Sequence, residues 1–198
     1  MHCGDKIPLR NCDERSKDPK LRDQFEAKIC FTPKSECPSG FLPDSGEKFQ
    51  EKGSLSYGWS GYMRSMTRTR YSHFDALLDN LILFPADKNS KWCLAEKPST
   101  ICEPMSWMLK VPNGKYIVKV TVGDPVNKAG YWLKVNGKVF IDGKILEKNQ
   151  FYSPNFEVNV GNERIKVTAD CDFDCQYVWS RINTIEIKTS PGNFFSFN

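Results

Sequence analysis

The chain is poor in histidine, in acceptor sites for N-linked glycans and in long apolar runs. Its only histidines are His2 and His73, and none of its asparagines begins an Asn-x-Ser/Thr triplet. No stretch approaches the roughly 18 apolar residues of a membrane helix. We therefore predict no transmembrane segment in this chain, and little material for zinc binding or histidine-based catalysis.

A concentrated excess of charge is also missing. The net charge of +4 comes from 28 basic and 24 acidic residues, spread along the 198-residue chain. Nucleic-acid-binding domains usually present a clustered basic face, so we predict no nucleic-acid partner. Aromatic residues make up 13% of the chain, which is too high for a disordered segment and points to a folded core.

Cysteine is abundant by contrast. The even count, the loop-like surroundings and the closely spaced pairs indicate disulfides formed in an oxidising compartment. Zinc would favour C-x2-C spacings and histidine partners, but the gaps between the cysteines are longer and His2 and His73 are the only histidines. Eight cysteines allow about 105 pairings, among which we expect the local ones: Cys3–Cys12, Cys30–Cys37, Cys93–Cys102 and Cys171–Cys175.

The first residues are polar and no apolar run follows them, so no signal peptide is recognisable. Disulfides nevertheless predict an extracellular or cell-surface location. We reconcile these two observations by expecting the chain to be a piece of a larger secreted or surface protein.

The clearest structural pattern covers residues 111–125, where a Pro-Asn-Gly turn leads into a strand that ends at Gly-Asp-Pro. Alternation places one set of side chains toward a core: Tyr116, Val118, Val120 and Val122. The other set points toward solvent: Lys115, Ile117, Lys119 and Thr121. A period of two over this length predicts a half-buried antiparallel strand.

Residues 1–46 are polar and rich in proline, and we predict a disulfide-pinned N-terminal extension with one short helix over residues 18–28 and loop elsewhere. Residues 47–189 read as many short strands separated by turn signals such as Asn136-Gly137 and Gly161-Asn162. This spacing predicts an all-β fold, an antiparallel β-sandwich of jelly-roll type. Residues 190–198 are expected to form a C-terminal tail.

Read in order, these pieces resemble the galactose-binding-like β-sandwich family, in particular its malectin-like and carbohydrate-binding-module members. The resemblance covers about residues 47–189. It rests on Tyr57-Gly58-Trp59, on Arg64, Arg68 and Arg70, on Asp75-x-Leu77-x-Asp79, on Leu109-x-Val111-Pro112-Asn113-Gly114-Lys115-Tyr116, on Val120-x-Val122-Gly123-Asp124-Pro125, on Val135-Asn136-Gly137, on Phe156-x-Val158-x-Val160 and on Ile182-Asn183-x-Ile185-Glu186-Ile187.

The resemblance implies a jelly roll without catalytic machinery, of the kind that binds sugars beside polysaccharide-degrading enzymes or on cell surfaces. The cysteines and the N-terminal extension depart from the common pattern. A cysteine-rich version suggests a eukaryotic, protist surface protein, in which such domains also serve adhesion.

Eight residues are candidates for ligand contact. Aromatic rings suit the apolar faces of sugars, and we single out Trp59, Tyr62, Tyr71, Tyr131 and Trp132, although burial in a core is the default use of such side chains. Parity places Trp132 on the outer face if Leu133 and Val135 face the core. Arg64, Arg68 and Arg70 suit carboxylates or hydroxyls of a ligand, but we favour a structural network with Asp75 and Asp79.

Alternating acids could hold calcium. Asp170, Asp172 and Asp174 supply oxygen ligands, with Asp124 as a further one. The EF-hand template fails because its sixth position is Cys175 and its twelfth is Arg181. We therefore expect no required cofactor, and name calcium as the cofactor to test.

No set of nucleophile, base and orienting group can be assembled, so we expect a non-catalytic chain. An enzyme would require His73 and a partner acid in one pocket. The sequence favours a recognition module that binds a glycan. The alternative is an adhesion or assembly domain that binds a surface protein.

Overall fold

A computed structural model describes residues 24–85, 105–169 and 179–191. Within these ranges the chain forms strands almost throughout, with one 3₁₀ turn at Arg64–Met66 and one short helix, α1, at Ala76–Asp79. The strands are β1 Glu26–Phe31, β2 Leu42–Asp44, β3 Gln50–Lys52, β4 Leu55–Trp59, β5 Thr67–Thr69, β6 Asn80–Pro85, β7 Ser106–Lys110, β8 Gly114–Asp124, β9 Ala129–Val135, β10 Lys138–Leu146, β11 Gln150–Tyr152, β12 Asn155–Val160, β13 Arg164–Ala169 and β14 Trp179–Thr189.

Two sheets face each other. The larger sheet is built on the long strands β8 and β14, which pair antiparallel. β11 and β12 share the far side of β8. On its other side β14 pairs first with β6, which carries β5, and then with β1, which carries β2. The smaller sheet has the order β10-β9-β13-β7-β4-β3. The predicted all-β sandwich is confirmed.

The core lies between the sheets and follows the predicted alternation. Tyr116, Val118, Val120 and Val122 of β8 are buried, as the sequence pattern indicates. Ile182, Ile185 and Ile187 extend this layer on β14, and Trp107, Leu109, Ile165 and Val167 face it from the smaller sheet. The turn predicted at Asn136-Gly137 connects β9 to β10, and both of its residues have the positive φ that such a turn requires.

The N-terminal part corrects one expectation. The helix predicted over residues 18–28 is wrong over residues 26–28, which belong to β1. Ala27, Ile29 and Phe31 of β1 are buried at alternate positions, and the strand completes its backbone hydrogen bonds on β14. Helix propensity is a weak preference that such tertiary pairing overrides.

The next segment also contains a strand where only loop was predicted. β2 includes Pro43 and runs parallel to β1 at the edge of the larger sheet. An edge strand tolerates proline, because one side of it needs no N–H donors. β1 and β2 are thus hydrogen-bonded parts of the sandwich, although both lie before the boundary expected near residue 46.

The predicted disulfide between Cys30 and Cys37 is confirmed, and it ties β1 to the loop that follows it. The other three predicted pairs, Cys3–Cys12, Cys93–Cys102 and Cys171–Cys175, lie outside the described residues. Among the described residues, no helix has the length and apolar character needed to span a membrane.

Candidate functional site

Four residues between β5 and α1 form an exposed aromatic segment, which we call the aromatic loop: Tyr71, Ser72, His73 and Phe74. The side chains of Tyr71 and Phe74 are 82% and 98% exposed. The His73 ring stacks on Phe74 with 4.7 Å between ring centroids and meets the edge of Phe151 at 5.3 Å. The loop therefore presents two free aromatic surfaces beside a third ring that is fixed against β11.

The backbone of the aromatic loop is fixed by a single carboxylate. The backbone N–H groups of Tyr71, Ser72 and His73 donate to Asp79 at 2.9, 2.8 and 2.8 Å. Burial raises the pKa of the Asp79 carboxyl, but these donors and the nearby His73 outweigh it and leave the pKa below its usual value. Asp79 is therefore an anion at neutral pH and holds the loop in one conformation.

The same hydrogen bonding explains the Asp75-x-Leu77-x-Asp79 spacing. Asp75 caps α1 by accepting the Leu77 N–H at 2.8 Å, and Asp79 at the end of α1 turns back toward the loop. Both carboxylates accept hydrogen bonds from backbone N–H groups. Neither of them pairs with an arginine among the described residues, which corrects the Arg–Asp network expected from the sequence.

The three candidate arginines separate instead of forming one surface. Arg64 pairs with Glu47, and Arg68 donates to the carbonyl oxygens of Ser65 and Thr67. Arg70 alone reaches the neighbourhood of the aromatic loop, which begins at the next residue. The structural role favoured for these arginines therefore operates through other partners than those expected.

Tyr71 has a backbone conformation that is unusual for its residue type. Its φ is +55°, in the left-handed region that costs an L-residue roughly 1–2 kcal/mol. The hydrogen bond from its N–H to Asp79 helps to hold it there. Such outliers persist only where their surroundings enforce them, and they concentrate at functional positions.

Below the loop lies a buried ionic cluster centred on Asp124. Its carboxylate is completely buried and contacts Arg70 at 2.6 Å and Arg181 at 2.9 Å. The N–H groups of Val126 and Asn127 donate to its other oxygen at 2.9 and 3.2 Å. Burial raises the pKa of Asp124, but these donors and the Arg70 charge outweigh it and hold the pKa below its usual value.

Asp124 and Arg70 were both noted in the sequence, but in different roles, and Arg181 was not identified as a partner. Asp124 lies at the end of β8, Arg181 on β14 and Arg70 directly after β5. Because these elements are far apart in the chain, no local sequence pattern predicts the contact. The hydroxyl of Tyr131, on β9, is buried without a hydrogen-bond partner among the described residues. Burial raises the pKa of Tyr131. The Arg181 and Arg70 charges lower the pKa and the Asp124 charge raises it, but each of these effects is smaller than that of burial.

This cluster does not provide an open metal ligand at Asp124. Both carboxylate oxygens already accept hydrogen bonds, and two guanidinium groups lie where a cation would have to bind. The other predicted calcium ligands, Asp170, Asp172 and Asp174, lie outside the described residues. Within the described ranges, no group of three or more possible ligands from histidine, cysteine, aspartate and glutamate is found.

Gly123 allows the aromatic loop to approach the larger sheet. It pairs with Phe151 across β8 and β11, and a Cβ atom at Gly123 would clash with the Phe151 ring and lie 2.7 Å from the Gln150 carbonyl oxygen. The absence of a Cβ at Gly123 leaves room for the Phe151 ring against β8. In that position the ring contacts His73.

The remaining aromatic candidates are distributed over three environments. Trp59 and Tyr131 are completely buried, so the structure places both in the core and removes them from the possible ligand contacts. Trp132 is half-buried on the outer face, as parity predicts, with its indole nitrogen 3.5 Å from where a Cβ of Gly143 would be. Tyr62 is 65% exposed, with the Lys48 ammonium 4.7 Å from its ring centroid.

His73 contributes both ring contacts and a hydrogen bond to the aromatic loop. Its Nδ1 accepts the Asp75 N–H at 3.0 Å, which places the proton of the neutral ring on Nε2. In the described part of the chain, neither Asp75 nor Asp79 accepts a hydrogen bond from this imidazole. The arrangement offers two aromatic faces and an N–H donor side by side.

Comparison with known proteins gives information at the level of the fold. No protein-family model matches the chain, and comparison with the sequences of curated proteins gives no match. The chain is similar in structure to the protein YxiM of Bacillus subtilis, with a TM-score of 0.55 and 14% identity over 84% of this chain and 40% of that one.

Two plant structures are also similar. One is the plant peptide RALF23 in complex with FER and LLG2, with a TM-score of 0.54 and 11% identity over 85% of this chain and 40% of the matched chain. The other is the ANX2 ectodomain of Arabidopsis thaliana, with a TM-score of 0.48 and 12% identity over 82% and 49% of the two chains. The chain has a malectin-like, or galactose-binding-like, β-sandwich fold, and spans less than half of each matched chain.

Proposed function

We propose that this malectin-like β-sandwich is a non-catalytic extracellular recognition module, part of a larger secreted or surface protein, that binds carbohydrate through its aromatic loop. The observation that carries the proposal is the exposure of Tyr71 and Phe74 on a backbone fixed by Asp79. Neighbouring exposed apolar side chains that form one patch mark interaction sites, in contrast to apolar residues scattered singly over a surface.

The chemistry of the loop fits a sugar. The apolar C–H faces of a pyranose ring pack on aromatic faces, and a few polar groups orient the hydroxyls. Tyr71 and Phe74 supply the faces. The Nε2–H of His73 and the exposed hydroxyl of Ser72 supply hydrogen bonds.

The rigidity of the loop supports binding as well. A loop that must be ordered by its ligand loses affinity to conformational entropy, whereas a loop held in advance does not. Three hydrogen bonds to Asp79 and the ring contacts of His73 order this one before a ligand arrives.

The Cys30–Cys37 disulfide supports an extracellular location, because disulfides form and persist mainly in oxidising compartments. The two cysteines lie seven residues apart in the sequence, so the bond closes a small loop beside β1.

A protein partner is the second candidate. The similar structure of RALF23 with FER and LLG2 is a complex of a peptide with other proteins, and a fold used in such a complex can serve assembly here. Val126, 46% exposed after β8, adds apolar surface that a protein would cover. An assembly site needs a broad apolar patch, whereas a sugar site needs aromatic faces flanked by hydrogen-bonding groups.

The experiment is a glycan array with the full chain, run with calcium and again with chelator. We expect binding to one sugar class, lost in Tyr71→Gly and Phe74→Ala. Tyr62→Gly is the matched control, because Tyr62 is an exposed tyrosine beside Lys48 rather than in the loop, and it should bind normally.

Three results separate the candidates. Binding that survives Tyr71→Gly and Phe74→Ala would contradict the loop site. Loss of binding with chelator would show that glycan binding requires calcium. A blank array with folded protein would favour the protein partner, which is then sought by cross-linking at the loop.

A further inference from the structure

The outer face of the smaller sheet carries a pocket that is separate from the aromatic loop. Its volume is about 460 Å³, within the range of roughly 300–1,000 Å³ typical of ligand sites. Four strands form its floor: Glu51 of β3 pairs with Ser56 of β4, and Lys110 of β7 pairs with Arg164 of β13. β4 and β7 join these pairs into one row that crosses the sheet.

Lys110 and Arg164 are the unusual members of this row. They lie directly opposite each other on neighbouring antiparallel strands, and both are exposed. Like charges in this position destabilise a sheet. Neither cation forms an ion pair with a carboxylate in the described ranges. Lys166, two residues along β13, adds a third exposed cation to the same face.

Arg164 is already positioned. Its guanidinium lies 5.1 Å from the centroid of the Phe49 ring, and its Nη1 lies 3.8 Å from the sulfur of Met108. Stacking on an aromatic ring restrains a long side chain and leaves the N–H groups at its rim free to donate. An anionic group between Lys110 and Arg164 would neutralise the repulsion and accept from both.

The rest of the pocket narrows the class of anion. Ser56 and Asn162 offer a hydroxyl and an amide, while Glu51 and Glu163 are carboxylates that accept from ligand hydroxyls. These carboxylates would repel a densely charged polymer such as nucleic acid. The Phe49 face is covered by Arg164, so it is not available for stacking a base.

We propose that this pocket binds an acidic polysaccharide, with a carboxylate or sulfate group between Lys110 and Arg164 and the sugar hydroxyls on Ser56, Asn162, Glu51 and Glu163. The site does not rest on the function proposed for the aromatic loop, since no residue is shared. The ligand combines isolated negative charges with many hydroxyls, and the lining matches both features.

The test is calorimetric titration of the full chain with three oligomers: polygalacturonate, which carries carboxylates only, κ-carrageenan, a sparsely sulfated galactan without carboxylates, and neutral galactan. We expect binding to one acidic oligomer, weakening as salt rises, and none to the neutral one. The oligomer that binds distinguishes carboxylate from sulfate. Lys110→Gln and Arg164→Gln should each weaken binding about tenfold or more, as expected for loss of a charge-assisted hydrogen bond.

Lys188→Gln is the matched control, an exposed strand lysine on the larger sheet, and should bind like the parent. Tyr71→Gly should also bind the acidic oligomer normally, which separates this site from the aromatic loop. Because repulsion is relieved, the ligand-free Lys110→Gln and Arg164→Gln proteins should melt no lower than the parent.

Absence of binding to both acidic oligomers would overturn the proposal. Equal affinity in the Lys110→Gln/Arg164→Gln double variant would overturn it too. Duplex DNA bound as tightly as the acidic oligomer, with the same dependence on Arg164, would replace the glycan by a general polyanion.

Discussion

Asp44 and Asp124 are both completely buried carboxylates, but the protein satisfies them in opposite ways. Asp124 is surrounded by charge, with two guanidinium groups and two backbone donors. Asp44 is surrounded by neutral dipoles. The indole N–H groups of Trp59 and Trp107 donate to it at 3.2 and 3.0 Å, and the Gly46 N–H donates at 2.8 Å.

The two solutions shift the pKa in opposite directions. Burial raises the pKa of Asp44 above its usual value, and the Lys52 charge and the N–H donors only partly oppose it. Burial also raises the pKa of Asp124, but there the hydrogen-bond donors and the Arg70 charge outweigh burial, and the pKa is lowered. At Asp44 the neutral donors hold the carboxylate in place without offsetting its burial, whereas at Asp124 the donors together with the Arg70 charge favour the ionised form.

The largest expected effect comes from Asp124→Ala, which leaves the partly buried Arg70 and Arg181 without their carboxylate partner. Breaking a buried ion pair from one side costs about 3–5 kcal/mol, and we expect a loss of that order in urea denaturation at pH 7. Because the folded pKa of Asp124 lies below its ordinary value of 3.8, its stabilisation is complete above that value. It is lost as the pH falls through the folded pKa.

The deficit of Asp124→Ala relative to the parent should therefore shrink in acid. Glu147→Ala is the control, since Glu147 forms an exposed pair with Lys128, and its loss should stay below about 1 kcal/mol. If both variants lost the same free energy of unfolding, the cluster would not be a stabilising element.

A smaller effect is expected from Asp44→Asn. An amide keeps one acceptor oxygen but turns an NH₂ group toward the second donor, so one indole N–H loses its partner. This costs about 1–3 kcal/mol. Near-ultraviolet circular dichroism of Trp59 and Trp107 should change with it.

The pH trend of this variant has the opposite sign. A raised folded pKa means that the ionised Asp44 penalises the folded state at neutral pH, and that protonation relieves the penalty as the pH falls toward 3.8. The deficit of Asp44→Asn should therefore grow on acidification from pH 7, in contrast to that of Asp124→Ala. Parallel trends in the two urea series would contradict this comparison.

The smallest effect is expected from Tyr71→Gly, in the loop that follows Arg70. Glycine removes the strain of a positive φ, worth roughly 1–2 kcal/mol, but adds roughly 0.5–1 kcal/mol of unfolded-state entropy. We expect a change below about 1 kcal/mol by urea denaturation. Tyr62→Gly gains no such relief and should lose roughly 0.5–1 kcal/mol; a larger loss at Tyr71 would mean that its ring is structural.

Periodicity explains why the sheet layers could be predicted. In β8 apolar and polar side chains alternate along consecutive residues. Since successive side chains of a strand point to opposite faces, this alternation is enough to predict which face is buried. The same parity places Trp132 outside and Tyr131 inside. β1 was missed because its pattern is short and its hydrogen bonds depend on β14, which lies more than 150 positions further along the chain.

The candidate site was predicted less completely. Composition identifies aromatics and arginines, but exposure is a property of the assembled fold, and it separates Trp59 from Tyr71 although both are large rings. The motif with Asp75 and Asp79 was noticed without its function, because the spacing of two carboxylates does not show whether they accept from backbone N–H groups or pair with arginines. Phe74 was not singled out, although its exposure is greater than that of Tyr71.

The sequence by itself determined the strand pattern, the turn at Asn136-Gly137 and the Cys30–Cys37 bond, because each of these depends on residues close together in the chain. Only the tertiary structure decided which charges meet. The buried Asp124 carboxylate contacts both Arg70 and Arg181. Lys110 lies directly opposite Arg164 on the neighbouring strand. Electrostatic energy depends on distance and burial, and both are set when distant strands are brought together.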